Sequence, residues 1–337
     1  MAPDFYKVNV LRAIAGLALG TVLTMILAAC TTAHDTKPAK LKDAALKKLP
    51  ELGGLLAPWQ TITGGWLTAK LDPQGLPIPG SPQGFASLIA PSALAVRGAD
   101  LYIADSGSRK LYRVDTATQN MSLMPGIEVL PWTQMQVGWD HSLYVLDSTR
   151  QTILHFTRGM QPLPNLGSVG GTVSLKNFVL DFPLGQVVAS DSISRRLVSF
   201  SPLGGPPLLL DTSTNEFRAM GALATDGRII YALDSACFCI AVMDDTGRFN
   251  ERFGEGVLSQ PRALAVDRYG HVFVSDNFDR TLKIFMRGTL YASYKAQTLG
   301  LIEISAVAVD EDVIYIADAA GSRVISLRIQ TPMGGQQ

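Results

Sequence analysis

Charge is scarce in this chain. Asp, Glu, Lys and Arg make up 17% of the 337 residues, and 29 basic side chains are matched by 29 acidic ones. A formal net charge of zero leaves no general electrostatic footprint for a nucleic acid, so that partner class is set aside. Histidine is rarer still, with His34, His141, His155 and His271 spread over the chain, which gives no cluster at zinc-ligand spacing. No Gly-Xaa-Ser-Xaa-Gly elbow and no phosphate-binding Gly-rich loop is present, so neither a serine hydrolase elbow nor a nucleotide cradle is expected. What is abundant is apolar residues at 47%, with 31 Gly and 19 Pro, the composition of many short strands joined by tight turns.

The N-terminus carries an address. Lys7 and Arg12 precede a run from Ala13 to Ala29 without a charge. That is short for a spanning helix and ends in small residues, as cleaved signals do. Leu27-Ala28-Ala29-Cys30 resembles the lipobox of bacterial lipoproteins. The resemblance implies a signal peptide over 1–29, acylation of Cys30 (diacylglycerol and an amide-linked palmitate-type chain) and a mature chain starting there. An ordinary secretory signal or an uncleaved anchor is the alternative. Thr31 after the cysteine, where Asp would mark inner-membrane retention, implies outer-membrane sorting toward the periplasm. Residues 30–54 include Lys37, Lys40, Lys42, Lys47 and Lys48 and read as a solvated tether that could also touch anionic headgroups. Residues 331–337 read as a flexible tail.

A repeat organises the rest. Six short apolar strands end in aspartate: Asp105, Asp147, Asp191, Asp234, Asp276 and Asp318, spaced 42, 44, 43, 42 and 42 residues apart. Units of this length, built of runs of four to six apolar or β-branched residues bounded by Gly, Asp, Asn or Ser, predict an all-β, six-bladed β-propeller of four-stranded blades over 55–330. The copy Pro261 to Phe285, containing Val272-Phe-Val-Ser-Asp276 and Arg280, resembles an NHL repeat, and the copies from Pro91 and Ala306 resemble it nearly as well. The resemblance covers roughly 85–330. It implies the fold without a particular activity, and it implies that Arg109, Arg150, Arg195, Arg280 and Arg323 pair with the aspartates and tie blades together. The last unit supplies three strands, so Gln60–Lys70 is expected to complete it and close the ring.

The six aspartates read as turn caps rather than as a metal or acid-base array. At the innermost strand entries, Ala90, Thr133, Ser174, Ala219, Gln260 and Glu303 include one carboxylate, too few for a calcium centre; Glu303, Gln134 and Asn177 are the polar candidates for a channel lining. In the fourth unit Cys237-Phe-Cys239 is open to three readings: packed thiols, a local disulfide, or a metal or redox pair. No cofactor is expected. The function predicted is a membrane-anchored, monomeric, non-enzymatic scaffold for a protein or envelope polymer. Its binding face would be carried by Trp132, Gln134, Arg150, Arg218, Phe238, Arg262 and Phe278, because aromatic and arginine side chains supply most interface energy. The alternative is a lactonase-like hydrolase or lyase working in the channel.

Overall fold

The computed structural model describes residues 55–68, 79–81, 83–167, 173–181, 185–201, 205–210 and 219–330. The signal and tether segments with Cys30, residues 331–337 and Arg218 lie outside them. The described residues begin with β1 (Leu56–Ile62), β2 (Gly64–Leu67) and β3 (Gly84–Ser87). The first blade follows as β4 (Pro91–Arg97), β5 (Asp100–Asp105), β6 (Lys110–Asp115) and β7 (Asn120–Met124). The second is β8 (Met135–Val137), β9 (Leu143–Asp147), β10 (Thr152–Phe156) and β11 (Pro162–Gly167). The third is β12 (Leu175–Asp181), β13 (Gln186–Asp191), β14 (Arg196–Phe200) and β15 (Leu208–Leu209). The fourth is β16 (Met220–Thr225), β17 (Ile229–Asp234), β18 (Cys239–Asp244) and β19 (Phe249–Phe253). The fifth is β20 (Pro261–Val266), β21 (His271–Asp276), β22 (Thr281–Met286) and β23 (Thr289–Lys295). The sixth holds β24 (Ala306–Asp310), β25 (Val313–Asp318) and β26 (Arg323–Ile329), and β1 is its fourth strand. A single 3-10 turn, Ala296–Leu299, is the one helical element among the described residues.

The four strands of each blade pair antiparallel and are lettered a to d from the axis outward. The six a strands β4, β8, β12, β16, β20 and β24 neighbour one another in a closed ring, with β24 returning to β4. This is a six-bladed β-propeller.

Alternation along the b strands explains why the blades stack. Leu101 and Ile103 pack toward the sixth blade, with Tyr315, Ala317 and Val324, while Tyr102 and Ala104 pack toward the second, with Leu143 and Val145. Successive side chains of a strand point to opposite faces, so a strand buried on both faces is apolar throughout, as the fully buried β5 is outside its terminal aspartates. Each of the six blade interfaces carries its own apolar core.

Closure is the expected kind with different boundaries. β1 pairs antiparallel with β26 from Leu56↔Ile329 to Ile62↔Val324. The segment expected to form one strand, Gln60–Lys70, instead splits: after Ile62 the chain enters β2, which runs parallel to β7 of the first blade and antiparallel to β3. The first blade is therefore six-stranded. Gly64 permits the crossing, since a Cβ there would sit 2.2 Å from the Ala86 carbonyl oxygen.

Candidate functional site

The b–c turns and the loops entering the a strands share one end of the propeller, and the repeated aspartate holds them together. Asp105 accepts hydrogen bonds from the amides of Ile89 (2.9 Å) and Ala90 (2.7 Å) in the entry loop and from Gly107 (3.1 Å) in the turn. Asp191, Asp234, Asp276 and Asp318 repeat the arrangement with the amides of Ser174, Ala219, Gln260 and Glu303. In four blades the bond is reciprocated: Ser106, Ser192, Ser235 and Asn277 donate their amides to the carbonyls of Ala90, Ser174, Ala219 and Gln260. The residues singled out as channel entries are thus the loop residues that the aspartates clamp.

The second blade departs from this pattern. Asp147 bonds only its own turn, through the amides of Thr149 and Arg150 and the Arg150 guanidinium. Its entry loop is held instead by the Trp132 indole on Ser148 Oγ (3.3 Å) and by Thr133 Oγ1 accepting the Leu130 amide.

Four residues after every aspartate the backbone turns left-handed: Arg109, Gln151, Arg195, Phe238, Arg280 and Ser322 all have φ between 51° and 56°. A four-residue connection ending in such a residue lets the chain reverse into the c strand. This geometry decides which arginines reach the aspartates. Arg109, Arg195 and Arg280 occupy the left-handed position and are exposed. Arg150 and Arg323, one residue to either side of it, bond Asp147 and Asp318. Those contacts stay within a blade. In the fifth blade the cation on Asp276 is the buried Lys283, 2.6 Å away; burial raises the Asp276 carboxyl, and the Lys283 bond with the entry-loop amides outweighs it, holding it below the ordinary carboxylate range.

Ties between blades come from other residues. Ser305 Oγ donates to the Pro91 carbonyl, Asn177 Nδ2 to the Gly221 carbonyl, Ser322 Oγ to the Ile89 carbonyl, and Arg97 pairs with Asp310.

One apolar side chain per blade stands exposed on this end: Ile89, Trp132, Ile193, Phe238, Phe278 and Ile302, between 43% and 76% accessible. Three of them, Trp132, Phe238 and Phe278, are expected face residues; Arg150 and Arg262 are exposed with them, and Gln134 is half-buried. Ile89, Ile193 and Ile302 are additions that an aromatic and arginine criterion passes over, although their positions flanking the repeated aspartate mark them. Ile89 lies over Gly107, where a Cβ would come within 2.5 Å of its Cγ2.

In the fourth blade a disulfide joins Cys237 and Cys239 with Cα atoms 5.2 Å apart. Extended strand would separate residues i and i+2 by more than 6 Å; the left-handed Phe238 between them brings them closer. Cys237, Cys239 and the exposed Glu255 are also the one trio of metal-type side chains in mutual reach among the described residues, but the sulfurs are bonded to each other.

The channel is differently built from the expected polar lining. Glu303 Oε1 accepts the Ala320 amide of its own blade's turn, and Asn177 is committed to the neighbouring blade, so the two do not form a joint lining. At the opposite end the channel opens into a cavity of about 240 Å³ lined by Val96, Val137, Ala224, Val266 and Val309 with charged residues at its mouth. Three of the four carboxylates there are engaged, Asp226 by the Arg228 and Ile229 amides, Asp267 by His271 and Asp310 by the Gly98 amide and Arg97, and Glu311 is the fourth. His271 is buried at the start of β21, 2.7 Å from Asp267. His155 on β10 stacks on Tyr144 at 4.1 Å, with Nε2 buried and unpartnered; burial lowers its pKa, and Asp140 only partly offsets this.

No family model matches the sequence, and no curated protein sequence matches it. Solved structures do resemble the fold. A gluconolactonase from Xanthomonas campestris superposes with a TM-score of 0.56 at 13% identity, over 82% of this chain and 97% of that one. A virginiamycin B lyase from Staphylococcus aureus gives 0.51 at 9% identity, over 73% and 85%. The WD40 β-propeller domain of Doa1 gives 0.50 at 14% identity, over 73% and 80%. Two are enzymes by name and one is not, and at such identities the likeness reaches only the architecture. The chain is a six-bladed β-propeller.

Proposed function

We propose that the chain is a lipid-anchored lipoprotein of the bacterial cell envelope whose propeller is a non-enzymatic docking scaffold, presenting its b–c turn end to a protein or envelope-polymer partner. The observation that carries the docking reading is the ring of six exposed apolar side chains, one per blade, on a single end of a rigid scaffold. Exposed apolar groups scattered at random need no explanation, whereas the same kind of residue repeated in every blade at one end gives that end a shared apolar character. Here the rim includes the exposed Arg109, Arg150, Arg195 and Arg280, and loops held by buried hydrogen bonds lose little entropy on docking. Support for the anchor is the Leu27-Ala28-Ala29-Cys30 motif, a lipid on whose cysteine would hold the propeller at the membrane through a tether.

Protein purified from bacterial membranes tests both parts. The intact mass of the wild type carries the lipid and Cys30→Ser loses both the lipid and the membrane; an unmodified, soluble wild type removes the anchor. Crosslinking in intact cells yields a partner adduct that Trp132→Ala/Phe278→Ala loses, and an adduct unchanged in that double variant removes the docking face.

A channel enzyme, hydrolase or lyase, is the second reading, favoured by the activities named for the gluconolactonase and the virginiamycin lyase. Turnover of a lactone panel, abolished by Glu303→Gln, would put it first.

A further inference from the structure

Away from the turn end, two arginines and a histidine converge on one carboxylate between the first and second blades. Asp100, at the start of β5, is fully buried. Arg113 of β6 gives its Oδ1 two bonds, from Nε at 2.8 Å and Nη2 at 2.6 Å. Arg158, in the turn after β10, reaches both oxygens, from Nε at 2.9 Å and Nη2 at 3.2 Å. His141, in the a–b turn of the second blade, places Nδ1 2.7 Å from Oδ2. Asp115 faces Asp100 across the strand pair, but its carboxylate is turned to the amides of Ala117 and Thr118.

Two guanidinium groups therefore share one carboxylate, and Arg113 and Arg158, without Asp100, are among the residues that line a cavity of about 610 Å³. That size is within the range of small-molecule sites. Each guanidinium carries five N–H donors, and the bonds to Asp100 use only part of them. Tyr102, opposite Arg113 on β5, is buried behind this cluster rather than in the cavity wall, its hydroxyl without a hydrogen-bond partner and within electrostatic reach of Arg113, Asp100 and Arg158. The rest of the wall is largely apolar: Leu67, Leu123, Met124, Pro125 and Met160. Methionines adapt to flexible apolar chains, and arginine suits planar or tetrahedral anions.

From this juxtaposition we infer that the cavity between the first two blades binds an anionic amphiphile, a carboxylate or phosphate head seated on Arg113 and Arg158 with an alkyl chain along Met124, Pro125 and Met160. The site is independent of the docking face, sharing none of its residues.

The test is isothermal titration calorimetry of the full propeller with laurate and with dodecyl phosphate below their micelle concentrations, against dodecanol and inorganic phosphate. Saturable one-to-one binding of laurate or dodecyl phosphate is expected, the tighter of the two identifying the head group. Arg158→Gln, at an exposed position, weakens it about tenfold or more by removing a charge-assisted pair, and Met160→Glu abolishes it; thermal melts of both variants confirm that they fold. No saturable heat with either amphiphile, equal affinity for dodecanol or inorganic phosphate, or unchanged affinity in folded Arg158→Gln overturns the inference.

Discussion

The aspartate repeated in every blade has one role in five blades and a lesser role in the sixth case, and that difference can be measured. In Asp105→Ala the amides of Ile89, Ala90 and Gly107 and the Ser108 hydroxyl, all part-buried, lose a fully buried acceptor. The expected cost is about 3 kcal/mol or more, since buried donors left unsatisfied are each worth 1–3 kcal/mol. Asp147→Ala, where the carboxylate is partly exposed and bonds only its own turn, costs about 1 kcal/mol or less. Urea unfolding of the two variants compares them, and equal midpoints would show that the entry-loop bonds contribute nothing. At the left-handed position, Arg109→Gly is expected to stabilise by about 0.5–1 kcal/mol, because only glycine adopts positive φ without steric cost; a lowered urea midpoint contradicts this. His155 supplies a pH dependence. Its pKa is lowered by burial in the fold, so near pH 6.5 and below the unfolded chain takes up a proton that the folded chain does not. The stability this contributes is complete above about pH 6.5 and declines as pH falls. The carboxylates held low, Asp100, Asp191 and Asp276, lose their contribution only below about pH 4, outside this window. Between pH 7.5 and 5.5 the wild type should lose stability relative to His155→Phe, which keeps a ring on Tyr144; parallel pH curves would refute it.

At the scale of elements, closure by β1 is the decisive pairing. Removing residues 55–63 exposes the edge of β26 and the core around Leu327 and Ile329, and the melting temperature should drop by several degrees or the protein should aggregate; an unchanged melt would show the ring holds without this strand. The repeat was legible in the chain because each b strand must end in the clamp aspartate and reverse through the same four-residue turn, which fixes both spacing and residue type. β2 and β3 were not, since Gly64-Gly-Trp-Leu67 and Gly84-Phe-Ala-Ser87 are too short for alternation to declare itself and the β7 strand that β2 joins is more than fifty residues away. The Asp100 cluster was equally invisible: Arg113, His141 and Arg158 lie at unrelated separations on two blades and meet only when those blades stack.

For the whole molecule, blade number and the strand order within the four-stranded units were readable, while the turn end's apolar ring was read in part, through Trp132, Phe238 and Phe278 and without Ile89, Ile193 and Ile302. The omission has a physical cause. An isoleucine in a strand-rich chain reads as core, and only its place beside the clamp aspartate exposes it. Because each ring side chain is solvated, replacing Ile193 and Phe278 together by Ser should leave urea stability within about 0.5 kcal/mol while removing the partner adduct. A large loss of stability would instead make the ring part of the fold.

The seam where β1 meets β26 also sets a clock. Leu56 and Ile329 are partners, so the first strand made must wait for the last, and five blades can assemble while the sixth still lacks its edge. Closing a loop of about 270 residues carries a length-dependent entropy cost of about 5 kcal/mol, and pairings so distant in sequence slow folding. A chain emerging N-terminus first therefore holds β1 as an unpaired edge through nearly all of its synthesis, and its half-life before final closure is the period when a chaperone is most needed.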